Sequence, residues 1–143
     1  MSDDYIEGFE RLFAEYQPKY YRLDGSLYPP GLEGLLAWGR DLEDTRGRMI
    51  AQDCLWNGLW LSTVWLGLDH RYGKGPPLIF ETMAFNRITD DHGDTWCERW
   101  STLDDAQVGH LYLKHYLGSL RFTLKLWLEL IWAEVRGDEE GIQ

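Results

Sequence analysis

"RMIAQDCLWNGLWLSTVWLGL", residues 48–68, places two apolar runs on either side of Asn57-Gly58. An Asn-Gly pair tolerates positive φ at both central positions of a tight turn, and between such runs it is the strongest short signal for a hairpin. The stretch therefore reads as two antiparallel strands. In the second run Leu59, Leu61 and Trp65 point one way, and Trp60, Val64, Leu66 and Leu68 the other. A strand apolar on both sides is expected at the centre of a sheet, covered on both faces. The alternative is that one face forms an intersubunit surface or a pocket wall.

Downstream, "PLIFETMAF" (77–85) is a third strand, and "WCERW" (96–100) a shorter fourth after the polar loop 86–95. A meander of three or four strands is the simplest topology, its register open. Upstream, residues 2–16 begin with a Ser and two Asp suited to a helix start and set Ile6, Phe9, Leu12, Phe13 and Tyr16 on one face. After the turn-rich "DGSLYPPGLEG" (24–34), Leu32, Leu35, Leu36 and Leu42 keep a helical period to Glu43. Beyond the sheet, Ser101 or Thr102 followed by Asp104 or Asp105 marks an N-cap, with helical period to about Arg136 and a potential break at Gly118-Ser119. The final part, "LRFTLKLWLELIWAEV" (120–135), is apolar around most of its circumference, which predicts burial in the core or between subunits. The tail 137–143 reads as frayed.

The expected fold class is thus α+β: an antiparallel sheet of three to four strands with N-terminal helices and a long or broken C-terminal helical hairpin. At 143 residues the chain is expected to form one domain, with a helical extension over 1–44, the sheet and first C-terminal helix over 45–117, and an apolar helix over 119–136.

Acidic residues outnumber basic ones 24 to 14, for a formal charge of -10, which argues against a protein that tracks long nucleic acid. A small anion held by local cations remains compatible. Eight Trp, eight Tyr and five Phe supply a dense core, an interface or flat walls for a ring-shaped ligand. Cys54 and Cys97 lie outside any CxxC spacing, so neither a structural zinc nor a disulfide framework is expected, and reduced cytoplasmic thiols are the plain reading. No basic n-region followed by an apolar h-region opens the sequence and no apolar run reaches bilayer-spanning length, so neither a signal peptide nor a membrane span is expected. No cofactor is expected.

The loop 69–77, "DHRYGKGPP", carries Arg71 and Lys74 between glycines that let backbone amides turn toward an anion, although it lacks the GxxxxGK[ST] spacing of a P-loop and also fits an ordinary connection. Glu81 and Thr82 interrupt an apolar strand. Alternation puts Glu81 with Ile79, Met83 and Phe85, on a pocket wall or satisfied by a backbone or Arg contact. Asp69, His70, Glu81 and His110 lack ligand spacings such as HxxxH or HExxH, and His110 and His115 fall off a common helical face. Residues 106–128 contain no acid but include Lys114, Arg121 and Lys125. These cations either offset the helix dipole and pair with distant acids, or face an anion near Arg71, Lys74, Arg87 or Arg99.

"STVWLGLDH" (62–70), "GPPLIFETM" (75–83), "ERWST" (98–102) and Gly109-His110 resemble, in that order, the STVFLGLDH, PxLFETMVF, ERYST and GH succession of small phage-encoded proteins that look like the anti-Thoeris sponges. The resemblance covers about half the chain, residues 48–114. It implies an antiparallel sheet with packed helices, assembled as a homodimer or higher oligomer in the host cytoplasm. The implied function is sequestration of a cyclic ADP-ribose isomer or cyclic oligonucleotide, unaltered. Such a ligand needs a flat wall for its base, cations for its phosphates and polar groups for ribose. Phe80 or Phe85 suits the first need; Arg71, Arg87, Arg99 and Lys114 the second; Asn86, Thr82 or Glu81 the third; His70 joins them from the loop. Lys114 stands where an arginine is expected, and the segments before Asp44 and after Gly118 lie outside the match. Two other functions remain open: a phosphoesterase using Glu81, Asp69 and His70 or His110, and an inhibitor that binds a host protein.

Overall fold

The computed structural model describes residues 18–87 and 94–139. The expected helix over 2–16 lies outside the described residues, as do the middle of the polar loop after Arg87 and the last four residues. The elements run α1 (Leu32–Glu43), β1 (Met49–Cys54), β2 (Leu59–Trp65), β3 (Phe80–Asn86), β4 (Asp94–Trp100), α2 (Leu103–Leu117) and α3 (Leu120–Glu139). The four strands form one antiparallel meander in the order β1-β2-β3-β4. The fold is α+β, with a helix before the sheet and a broken helical pair after it.

The hairpin forms where Asn57-Gly58 predicts it, with a different turn. Leu55 and Leu59 close a three-residue loop, in which Gly58 N–H donates to the Leu55 carbonyl at 3.0 Å and Gly58 has φ of 86°. Asn57 keeps a negative φ. This is a type I turn with a left-handed glycine, which leaves the Asn57 amide free for another use. Its Nδ2 donates to the Leu117 carbonyl at 2.8 Å and to Thr123 Oγ1 at 3.0 Å, tying the hairpin tip to the junction of α2 and α3.

Strand alternation then sorts the core. Leu59, Leu61, Thr63 and Trp65 of β2 and Phe80, Thr82 and Ala84 of β3 are buried on one face, under α2. The opposite face carries Trp60, Val64, Glu81, Met83 and Phe85, all half-buried. β2 is central as expected, but among the described residues helices cover one of its faces, not both. Ile79 is fully buried and precedes β3, so it does not share the Glu81 face as alternation over 77–85 suggested.

Thr102 caps α2, its Oγ1 accepting from Asp105 N–H at 3.1 Å. Asp104 and Asp105 in the first turn complement the helix dipole. The break falls at Gly118-Ser119, where Ser119 Oγ donates to the Tyr116 carbonyl and accepts from Phe122 N–H at 3.2 Å. α3 continues to Glu139, past the glycine where a frayed tail was expected to start. It buries Phe122 and Thr123 and, among the described residues, leaves a long apolar face exposed, so of the two expected settings, core or subunit contact, the core is not the one these residues show.

Candidate functional site

β2 separates the sequence-predicted residues into three groups. His70, Arg71 and Lys74 follow its C-terminal end. Phe85, Asn86, Arg87 and Lys114 lie toward its N-terminal end, where β2 meets the β1 hairpin. The length of β2 puts about 20 Å between the two ends, too far for one small ligand to touch both. Phe80 and Thr82 belong to neither, because both are 0% exposed beneath the helices.

Arg71 is held by its own loop. Asp69 Oδ1 accepts from Arg71 N–H and Leu78 N–H, each at 2.9 Å, and Arg71 Nε donates to the Pro76 carbonyl at 2.5 Å. On the open face nearby, Arg99 Nε reaches Glu81 Oε2 at 2.8 Å. This Arg contact is one of the satisfied arrangements expected for Glu81, and it raises the Arg99 pKa. Glu81 and His110 lie on opposite faces of the sheet, and Asp69 lies in the loop beyond it. Of the residues of a phosphoesterase reading, this separates His110 from Glu81, whereas Asp69 and His70 stand together in the loop that follows β2.

Beneath the sheet a polar chain crosses the core. Trp100 Nε1 donates to Thr82 Oγ1 at 2.9 Å; Thr82 and Thr63 hydroxyls lie 2.7 Å apart; Thr63 Oγ1 is 2.7 Å from His110 Nδ1; and His110 Nε2 is 3.0 Å from Asp53 Oδ2. Lys114 Nζ closes the series on Asp53 Oδ1 at 2.7 Å. The cation expected to hold a ligand phosphate therefore has a carboxylate partner, and His110, 2% exposed, is a core residue.

Hydrogen bonds from Lys114 and then from His110 hold the Asp53 carboxyl below its ordinary value of 3.8. A depressed carboxyl stabilises the fold above its unfolded-state pKa, and that contribution is lost as pH falls through the folded-state value. Urea midpoints measured from about pH 6 down to about pH 2 should fall less steeply in Asp53→Asn than in the parent chain. Equal slopes would show that Asp53 does not carry this dependence.

The arrangement best suited to an anionic ligand lies at the hairpin end. A cavity of about 460 Å³ is lined by Cys54, Leu55, Trp56, Leu111, Lys114, His115 and Gly118. Trp56 is 65% exposed and is anchored by its Nε1 donating to the Gly118 carbonyl at 2.5 Å. Arg87 Nη1 lies 3.5 Å from Cys54 Sγ, on the face of edge strand β1 turned away from α2, because Asp53 before it faces the helix. Cys54 also pairs in register with Trp60, whose ring lies 5.7 Å from that of Phe85 at 36°. An indole wall, an ammonium and an imidazole thus come from the hairpin loop and α2 to one cavity, with a guanidinium across the edge strand. The volume falls within the ordinary range for small-molecule sites.

Another cavity of about 460 Å³, beside α1, carries Asp24, Asp41 and Asp44 against Arg22. Burial and the Asp41 contact push the Tyr28 hydroxyl there up to about 12. Three carboxylates disfavour an anion. Of the hairpin-end residues, Arg87, Lys114 and Phe85 were expected from sequence. Trp56, Trp60, Cys54 and His115 were not, and the signal that bears on them is an exposed aromatic beside the Asn-Gly turn. No protein-family model, no curated protein and no solved structure matches this chain.

Proposed function

We propose that the chain is a non-catalytic binder that captures a small, planar, anionic signal of the cyclic-nucleotide class and holds it unaltered, as a sponge. The observation that carries this reading is the hairpin-end cavity, in which Trp56 faces the same space as Lys114 and His115. An indole suits a base, and a cluster of cations suits a diphosphate. The Asp53 carboxylate beside Lys114 suits a ribose hydroxyl, which can donate to it. The motif succession across residues 62–110 points the same way.

Calorimetric titration with cyclic ADP-ribose isomers and cyclic dinucleotides, followed by heat release and mass analysis of the recovered ligand, tests the proposal. One of these ligands should bind and return intact. Trp56→Ala and Lys114→Ala should each weaken it at least about tenfold, with Arg71→Ala unchanged. A ligand returned cleaved would overturn the non-catalytic reading; an effect confined to Arg71→Ala would move the site to the opposite end of the sheet.

A further inference from the structure

α3 has two apolar faces. Phe122, Thr123 and half-buried Leu126 turn toward the rest of the domain. Leu120, Leu124, Trp127, Leu128, Ile131 and Trp132 are 52–71% exposed, and at 100° per residue they fall within an arc of about 140°. These six side chains offer roughly 700 Å² of contiguous apolar surface, above the largest patch on a typical monomer and close to the ~800 Å² that each partner contributes to a standard interface. Along one flank of this stripe run Arg121, Lys125 and Glu129; over residues 120–132 the opposite flank carries Thr123 and no charge, and Glu134 follows on that side beyond the stripe.

We propose that α3 pairs with α3 of a second copy of this chain, antiparallel, about a two-fold axis near position 126. The asymmetric flank selects the orientation. An antiparallel two-fold brings the charged flank of one helix against the same flank of the other. Glu129 of the second copy then falls opposite position 123, between Arg121 and Lys125. A parallel two-fold would set Arg121 and Lys125 against the opposite flank at their own level, where no acid stands, and form no such pairs. Within the chain Lys125 reaches Glu129 only at 3.8 Å, a weak exposed contact that can be exchanged for the intermolecular one. The same symmetry lays Trp132 of the second copy over Leu120, next to a groove of about 530 Å³ lined by Tyr116, Arg121, Phe122 and Lys125. An indole entering that groove meets aromatic rings and two cations.

Analytical ultracentrifugation of the full chain at micromolar concentration should give a dimer. Leu124→Glu with Leu128→Glu should give a single chain with unchanged far-UV circular dichroism, since both positions are exposed in the isolated protomer. Glu129→Arg should weaken the dimer roughly tenfold, and adding Arg121→Glu and Lys125→Glu should restore it by reversing the pairs. A wild-type chain that sediments alone, whether residues 1–17 cover the stripe or nothing does, would overturn the proposal, as would a dimer indifferent to the Leu124 and Leu128 substitutions. A dimer that dissociates with those substitutions but ignores Glu129→Arg would overturn the antiparallel arrangement.

Discussion

Replacing His110 by leucine is expected to lower the unfolding free energy by about 2–4 kcal/mol, because it strands a buried hydroxyl and takes a donor from a carboxylate at once. The proton order explains the size. Trp100 Nε1 can only donate, to Thr82 Oγ1, and one order then satisfies every member: Thr82 gives its proton to Thr63, Thr63 gives its proton to His110 Nδ1, and His110 Nε2–H donates to Asp53. That order ends on an anion that Lys114 also serves. Leucine fills much of the same volume, so the loss reports hydrogen bonding rather than a large cavity. A double-mutant cycle with Thr63→Val separates the parts: valine removes the stranded hydroxyl, so the double variant should be more stable than the sum of the single losses implies. Urea denaturation is the measurement, and a His110→Leu loss under about 1 kcal/mol would rule out a cooperative chain.

The same residues mark the boundary of what the sequence could reveal. Period-2 alternation put Glu81, Met83 and Phe85 on one face and thereby Phe80, Thr82 and Ala84 on the other. It could not say which face the helix would cover, because that depends on where α2 docks, a contact distant in sequence. Phe80 and Thr82 were accordingly counted with the ligand-facing residues, although they lie in the core beneath Trp100 and His110. Local signals were more legible: the Thr102 cap, the Gly118-Ser119 break and the Asn57-Gly58 hairpin each act within a few residues. Even there, the use of Asn57 was hidden, since its amide partners are Leu117 and Thr123, some sixty residues away. The candidate cavity was half legible for the same reason. Its cations stand out in an acidic chain, whereas the approach of Trp56 to His115 exists only after the hairpin has docked on the helices.

Gly109→Ala should destabilise the protein by about 2–3 kcal/mol, reversing the sign that helix propensity alone would give. In an unconstrained helix interior the change gains about 1 kcal/mol. At position 109 a Cβ would lie 2.3–2.6 Å from three indole carbons of Trp100. Those atoms belong to a large ring, and the ring is pinned because its Nε1 donates to Thr82 at 2.9 Å. Trp100 can move aside only by breaking the first link of the chain to His110, and α2 can move aside only by lifting Leu113 and Leu117 off Leu59 and Leu61. The glycine is therefore what lets α2 approach closely enough for His110, the next residue, to reach Thr63. Shrinking the opposing ring tests this coupling directly: Trp100→Phe is destabilising alone, but in that background Gly109→Ala should lose much of its cost. Thermal or urea denaturation of the four proteins gives the coupling energy. A Gly109→Ala variant as stable as the parent would mean that the ring moves freely, and an unchanged cost in the Trp100→Phe background would place the strain somewhere other than the indole.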